Sequence, residues 1–176
     1  MPRSSKNVAR PPASRAAGLV AGFTLVELMV TCAVIGILAV VGLPAMNWMI
    51  NAGRLQGHAS DISAALQMAR SEAVRRNASI SVCGSSNGTA CDGNWANLIT
   101  VVASSNEVLQ VTPVRPPVQL SASANSITYR ANGFTTGSSF TVCIPTDSPR
   151  QNRRILSVTA AGKVSTAKAD GSGACQ

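Results

Sequence analysis

Aromatic, acidic and histidine residues are scarce in this chain. Phenylalanine, tyrosine and tryptophan make up 3% of its 176 residues, there are seven acids, and His58 is the one histidine. So lean an aromatic content excludes a deep aromatic pocket, and so few titratable groups leave little acid–base machinery for an active site. No phosphate-cradling glycine loop and no carboxylate pair is recognisable. Cys-x-x-Cys spacing is also missing, and His58 is too isolated to complete a zinc site. Asn87, Asp92 and Asn94 offer oxygens in one loop, yet a single carboxylate is too little for calcium. These absences point away from catalysis and give no reason to expect a metal or a cofactor.

What the chain does contain is apolar and strand-friendly: 45% hydrophobic residues and a mean hydropathy of +0.19. The length suits one ordinary domain with an appendage. The net charge of +8 is uneven, because Arg3, Lys6, Arg10 and Arg15 supply half of it within residues 1–22, where no acid occurs. Such a block reads as a cytoplasmic flank of a membrane segment rather than a nucleic-acid tail. An apolar run follows from Phe23 to Ile50, uncharged from Leu28 onward and long enough to span a bilayer as a helix. Two of its features are unusual. A small residue, Gly22, precedes the run instead of following it as in a secretory signal, and one carboxylate, Glu27, lies just inside its front edge. Hydropathy alone also fits an uncut signal anchor. Pro44 lies within the run, where it removes a helical hydrogen bond and favours a kink.

The stretch "GFTLVELMVTCAVIGILAVVGLP" resembles the class III signal of type IV pilins and type II secretion pseudopilins. The resemblance implies that a prepilin peptidase cuts after Gly22 and that the new N-terminal residue, Phe23, is N-methylated. It also implies that Glu27 neutralises the resulting α-amine, on its own chain or a neighbour's, when subunits leave lipid for a filament core. An unpaired charge is costly there.

Beyond Ile50 the helix is expected to continue. Leu55, Ala59, Ile62, Leu66, Ala69 and Ala73 recur at three- and four-residue steps and form one apolar stripe. Arg75 and Arg76 close the pattern, where cations complement the helix dipole. Strand-rich runs follow at Ile80–Cys83, Trp95–Val102, Val108–Thr112, Ile127–Arg130, Phe140–Ile144, Ile155–Thr159 and Val164–Thr166, separated by Gly, Asn, Ser and Pro clusters. The expected fold class is α+β: a long N-terminal helix packed on a small antiparallel β head, with a lollipop outline. The expected divisions are a leader at 1–22, a transmembrane or filament-core helix at 23–50, and an extracytoplasmic head at 51–176. The head comprises an amphipathic half-helix (51–76) and a β-rich part (77–176).

Cys32 lies in the apolar run, leaving Cys83, Cys91, Cys143 and Cys175 for an oxidising compartment. Four cysteines allow three connectivities. The favoured one joins Cys83 to Cys91 across a short loop and Cys143 to Cys175 across the C-terminal tail.

The series "ARSEAVRRN", "VCGSSNGTACDGNW", "ITYRANGFTTG" and "RRILSVTAAGKV" is similar to the GspH/FimT group, which holds pseudopilin H of type II secretion and the FimT and FimU minor pilins. Membership implies a structural subunit of a type IV pilus, with a type II secretion pseudopilin as the alternative. The implied partners are other pilins, the prepilin peptidase/N-methyltransferase and an inner-membrane assembly platform. The implied location is a single inner-membrane pass with a periplasmic head, followed by the filament. Some FimT proteins bind DNA through a basic "GRxR" element. The matching stretch here is Gly162-Lys163-Val164-Ser165, which keeps the first basic position and loses the second. Arg150, Arg153, Arg154, Lys163 and Lys168 are the residues that could form a basic patch for DNA, as a second alternative. A solvated basic surface explains them without a ligand and is the preferred reading.

Overall fold

A computed structural model describes residues 22–146, 151–171 and Cys175, with only the backbone described at residues 41 and 43–45. The chain divides into two compact units, Met1–Val41 and Gly42–Gln176. Helix α1, Leu25–Arg76, runs through the boundary between them.

Apart from Glu27 and Thr31, the described helical residues of the first unit lack polar side chains, and they are exposed, among them Leu25, Val26, Leu28, Met29, Ile35 and Leu38. A helix without a polar face needs an apolar medium or close-packed neighbours. Among the described residues no helix is long and apolar enough to cross a membrane.

In the second unit the helical stripe is the organising element. Leu55, Ala59, Ile62, Leu66, Ala69 and Ala73 are all buried, and Ala65 joins them, so the three- and four-residue spacing faces one core. That core is completed by eight strands: β1 Ile80–Ser85, β2 Asn97–Val102, β3 Val108–Pro113, β4 Gln119–Ala122, β5 Ser126–Tyr129, β6 Ser138–Cys143, β7 Arg153–Val158 and β8 Val164–Ala169. They form two four-stranded sheets, ordered β3-β2-β1-β5 and β4-β6-β7-β8, with every ladder antiparallel.

Alternation along the strands sorts their residues onto two faces. Ile80 and Val82 of β1 join the helical core with Ile127, Tyr129, Phe140, Val142, Leu156 and Val158. Cys83 points the other way and gathers a smaller cluster with Ile99, Val101 and Val108. The first sheet is therefore apolar on both faces. Strand β4 falls outside the expected runs: it has four residues and one large apolar side chain, Leu120, which is too short a signal for periodicity to register. The strand expected from Trp95 begins instead at Asn97. Trp95 precedes it and meets Phe140 edge-to-face, with ring centroids 5.8 Å apart.

Candidate functional site

Gly22, Phe23 and Thr24 lie outside the helix, and Phe23 is 80% exposed. Thr24 fixes where the helix begins. Its hydroxyl oxygen Oγ1 accepts the backbone N–H of Glu27 at 3.2 Å, and its carbonyl accepts the N–H of Leu28 at 3.2 Å. This is an N-cap at Thr-x-x-Glu spacing, with Thr24 as the cap and Glu27 as the third helical residue. The motif that draws attention to Glu27 thus has a local partner that the sequence reading passed over, although the spacing was there to find. Glu27 also sits at the positive end of the helix dipole, where a carboxylate is favoured and a cation is not. An amine created at Phe23 would meet that unfavourable field, and Glu27 is the nearest acid to oppose it. The Gly22–Phe23 bond itself is non-helical and exposed, as a peptidase requires. Position 44 is helical; its side chain, and with it the expected proline kink, lies outside the described side chains.

Both expected disulfides are present, Cys83–Cys91 and Cys143–Cys175, each with a Cα–Cα separation of 5.6 Å. Cys32 remains an exposed thiol. The first disulfide closes a loop whose polar groups are used internally. Asp92 accepts from the backbone N–H and hydroxyl of Ser86 and from the N–H of Asn94, and Asn87 accepts from the N–H and hydroxyl of Thr89. These bonds hold the Asp92 carboxyl below the usual carboxylate range, the Ser86 hydroxyl being the largest contributor. Among the described residues no group of three His, Cys, Asp or Glu side chains could hold a metal ion.

The structure disperses the basic residues grouped by sequence. Arg150 lies outside the described residues. Arg154 is corrected from a surface residue to a buried one, 3% exposed, because it shares one face of β7 with core residues Leu156 and Val158. Its Nη1 donates to the carbonyls of Gln151 and Arg153 at 2.9 Å each, and burial pushes its pKa down. Arg153, its neighbour in the strand, points to the opposite face and is half-buried. Lys163 and Lys168 are exposed before and near the end of β8. Arg154 and Lys168 are cross-strand partners of β7 and β8, but Arg154 is buried, Arg153 lies on the opposite face and Lys163 stands at the far end of β8, so the four present no continuous cationic strip. His58 shares an open groove with Arg54, Asp61 and Arg115 beside strand β3, and no serine or cysteine lines it.

A family profile described as "Type II transport protein GspH" matches residues 58–162, and one described as "Prokaryotic N-terminal methylation motif" matches residues 19–43. No curated protein sequence matches. Among solved structures, the chain is similar to the type IV minor pilin FimU of Pseudomonas aeruginosa. That likeness has 26% identity and a TM-score of 0.53, and covers 64% of this chain and 87% of FimU. It shares its fold with the minor pseudopilin EpsH of the type 2 secretion system of Vibrio cholerae, at 12% identity and a TM-score of 0.51. That match covers 65% of this chain and 97% of EpsH.

Proposed function

The chain belongs to the GspH family, and from that premise we propose that it is the precursor of a minor pilin in a type IV pilus, matured at Gly22–Phe23 and N-methylated at Phe23. Membership makes it a minor pilin or pseudopilin, and the relatives it resembles are structural pilins rather than enzymes. The observation that carries the finer reading is the likeness to FimU over 87% of that protein, at an identity twice that to EpsH. In this reading α1 is first held in the inner membrane, with its N-terminus cytoplasmic and its head periplasmic. It then enters a filament, where its exposed apolar first segment is covered by neighbouring helices and Glu27 meets a cationic amine. Other pilins, the prepilin peptidase/N-methyltransferase and the assembly platform are its partners.

The type II secretion reading is favoured by one specific observation, the description of the matching family. Deleting the gene separates the two. The pilus reading expects loss of piliation and twitching with export intact; an export defect with normal pili overturns it and supports the pseudopilin. Mass spectrometry of filament-derived protein should find Phe23 first and monomethylated, and an intact leader in filaments would sink the maturation step.

A further inference from the structure

A groove of ≈ 690 Å³ runs between the last turns of α1 and the turn joining β7 to β8. Its lining includes Arg70, Val74 and Arg75 from the helix, with Gly162, Lys163 and Val164 from the turn and β8, and contains no acid. The nearby carboxylate, Glu72, is engaged: both Arg75 and Arg76 donate to it, at 2.6 and 2.7 Å. Arg70 and Lys163 have no ion-pair partner among the described residues. Two cations face one groove without a counter-charge, and Arg70, Lys163 and Val74 are all exposed there.

Arg70 is held in place by the chain around it. Gly133 and Gly162 have φ of 77° and 75°, a region that favours glycine. A Cβ at Gly162 would lie 2.8 Å from the Gly133 carbonyl oxygen and 3.1 Å from Arg70 Nε, and one at Gly133 would lie 3.2 Å from the same Nε. Two bare turns thus converge and leave just enough room for the arginine stem to cross them. The guanidinium is positioned by packing rather than by an acid, so its donors remain for a ligand.

We propose that this groove binds a short acidic, partly apolar peptide segment of a partner protein, with Arg70 and Lys163 receiving the carboxylates and Val74 and Val164 the apolar side chains. That the partner is another filament subunit rests on the proposed function; peptide binding does not. A polynucleotide fits less well. Backbone tracking needs many cations in a row. Here Arg75 is bonded to Glu72, Arg154 is buried, Arg153 lies on the other face, and Lys168 is five residues beyond Lys163 along the strand. The volume suits a few residues of an extended peptide.

The test uses the full chain in detergent and fluorescence anisotropy of a labelled, blocked hexapeptide alternating glutamate with leucine. Its glutamine counterpart and a single-stranded oligonucleotide are the comparisons. The expected result is saturable binding of the acidic peptide, about tenfold weaker for the glutamine peptide and for Lys163→Gln. Because Arg70→Gln could disturb the two turns, the charge reversal Lys163→Glu serves as the second variant and should shift preference toward a lysine–leucine peptide. Equal binding of acidic and amide peptides, unchanged binding by Lys163→Gln, or displacement of the peptide by the oligonucleotide each overturns the proposal. Failure here with normal loss of pili on gene deletion condemns the groove alone, whereas binding without a pilus phenotype condemns the filament reading alone.

Discussion

The side-chain oxygen of Asn152 accepts the backbone N–H of Gly171 at 2.7 Å. Its amide nitrogen donates in turn to the carbonyl of Ile144 at 3.2 Å, so one buried residue joins the end of β6 to the C-terminal tail. Asn152→Ala leaves an N–H and a carbonyl without partners and should lower stability by about 1–3 kcal/mol. Reversible urea unfolding with the disulfides intact measures this, and an unchanged midpoint would show that water replaces the amide. Gly171→Ala should act in the same direction, since its Cβ would lie 2.6 Å from the Asn152 oxygen.

The disulfide Cys143–Cys175 fastens the same tail from its other end. It spans 32 residues of sequence, against 8 for Cys83–Cys91. Loop-closure entropy then predicts that removing the longer link costs about 3.7 kcal/mol and the shorter about 2.5 kcal/mol. Paired Cys→Ser variants compared by chemical denaturation should keep that order.

Gly84 lies where the Cys83–Cys91 loop returns to the sheet. A Cβ there would meet the Asn94 carbonyl oxygen at 2.7 Å and Trp95 Cδ2 at 2.9 Å. Gly84→Ala should destabilise by about 1–3 kcal/mol and loosen the Trp95–Phe140 contact, visible as a change in tryptophan fluorescence. Gly57→Ala is the control. It is helical with nothing within 4 Å, so alanine should stabilise by about 0.5–1 kcal/mol.

Glu72 ties the end of α1 together, and Arg76 carries the tie on to Glu107 at 3.4 Å. Hydrogen bonds from Arg75 and then Arg76 lower the Glu72 pKa from 4.5 to about 2. A depressed folded-state pKa gives stability that is present above the unfolded value and lost as pH falls through the folded one. Unfolding midpoints should therefore decline between pH 4.5 and about 2, with Asp92 contributing in the same direction. Glu72→Gln should flatten that decline; an identical slope in the variant would remove Glu72 as its source.

Glu27→Ala should be synthesised and cleaved normally yet incorporate poorly into filaments, whereas Thr24→Ala should loosen the first helical turn by about 1 kcal/mol. Hydrogen exchange at Glu27 and Leu28 reads the cap, and filament fractionation reads assembly. Normal incorporation of Glu27→Ala would defeat the pairing argument.

Periodicity was enough to reveal the helical stripe, because six apolar residues at helical spacing admit one face. Compartment and a short loop favour the two cysteine pairs that form, but composition leaves three connectivities open and only the fold brings Cys143 to Cys175. Charge alone makes Arg154 a surface residue, whereas alternation sets it with Leu156 and Val158 on one face of a strand at period two. The Arg70 groove was beyond reach for a different reason. It brings together residues 70, 133 and 162, and only the packing of two turns against a helix makes them neighbours.

The Thr24 cap also sets the length of a tether. A cut at Gly22–Phe23 leaves one residue ahead of the cap, so the new amine can swing about the Phe23 torsions but cannot slide along the helix axis. Its height relative to Glu27 is then confined to the narrow range that one residue's torsions allow. In the proposed filament, bringing that amine level with a neighbour's carboxylate would be a condition on the axial stagger between successive subunits. The first five residues after the cut would thus act as a ruler for filament rise.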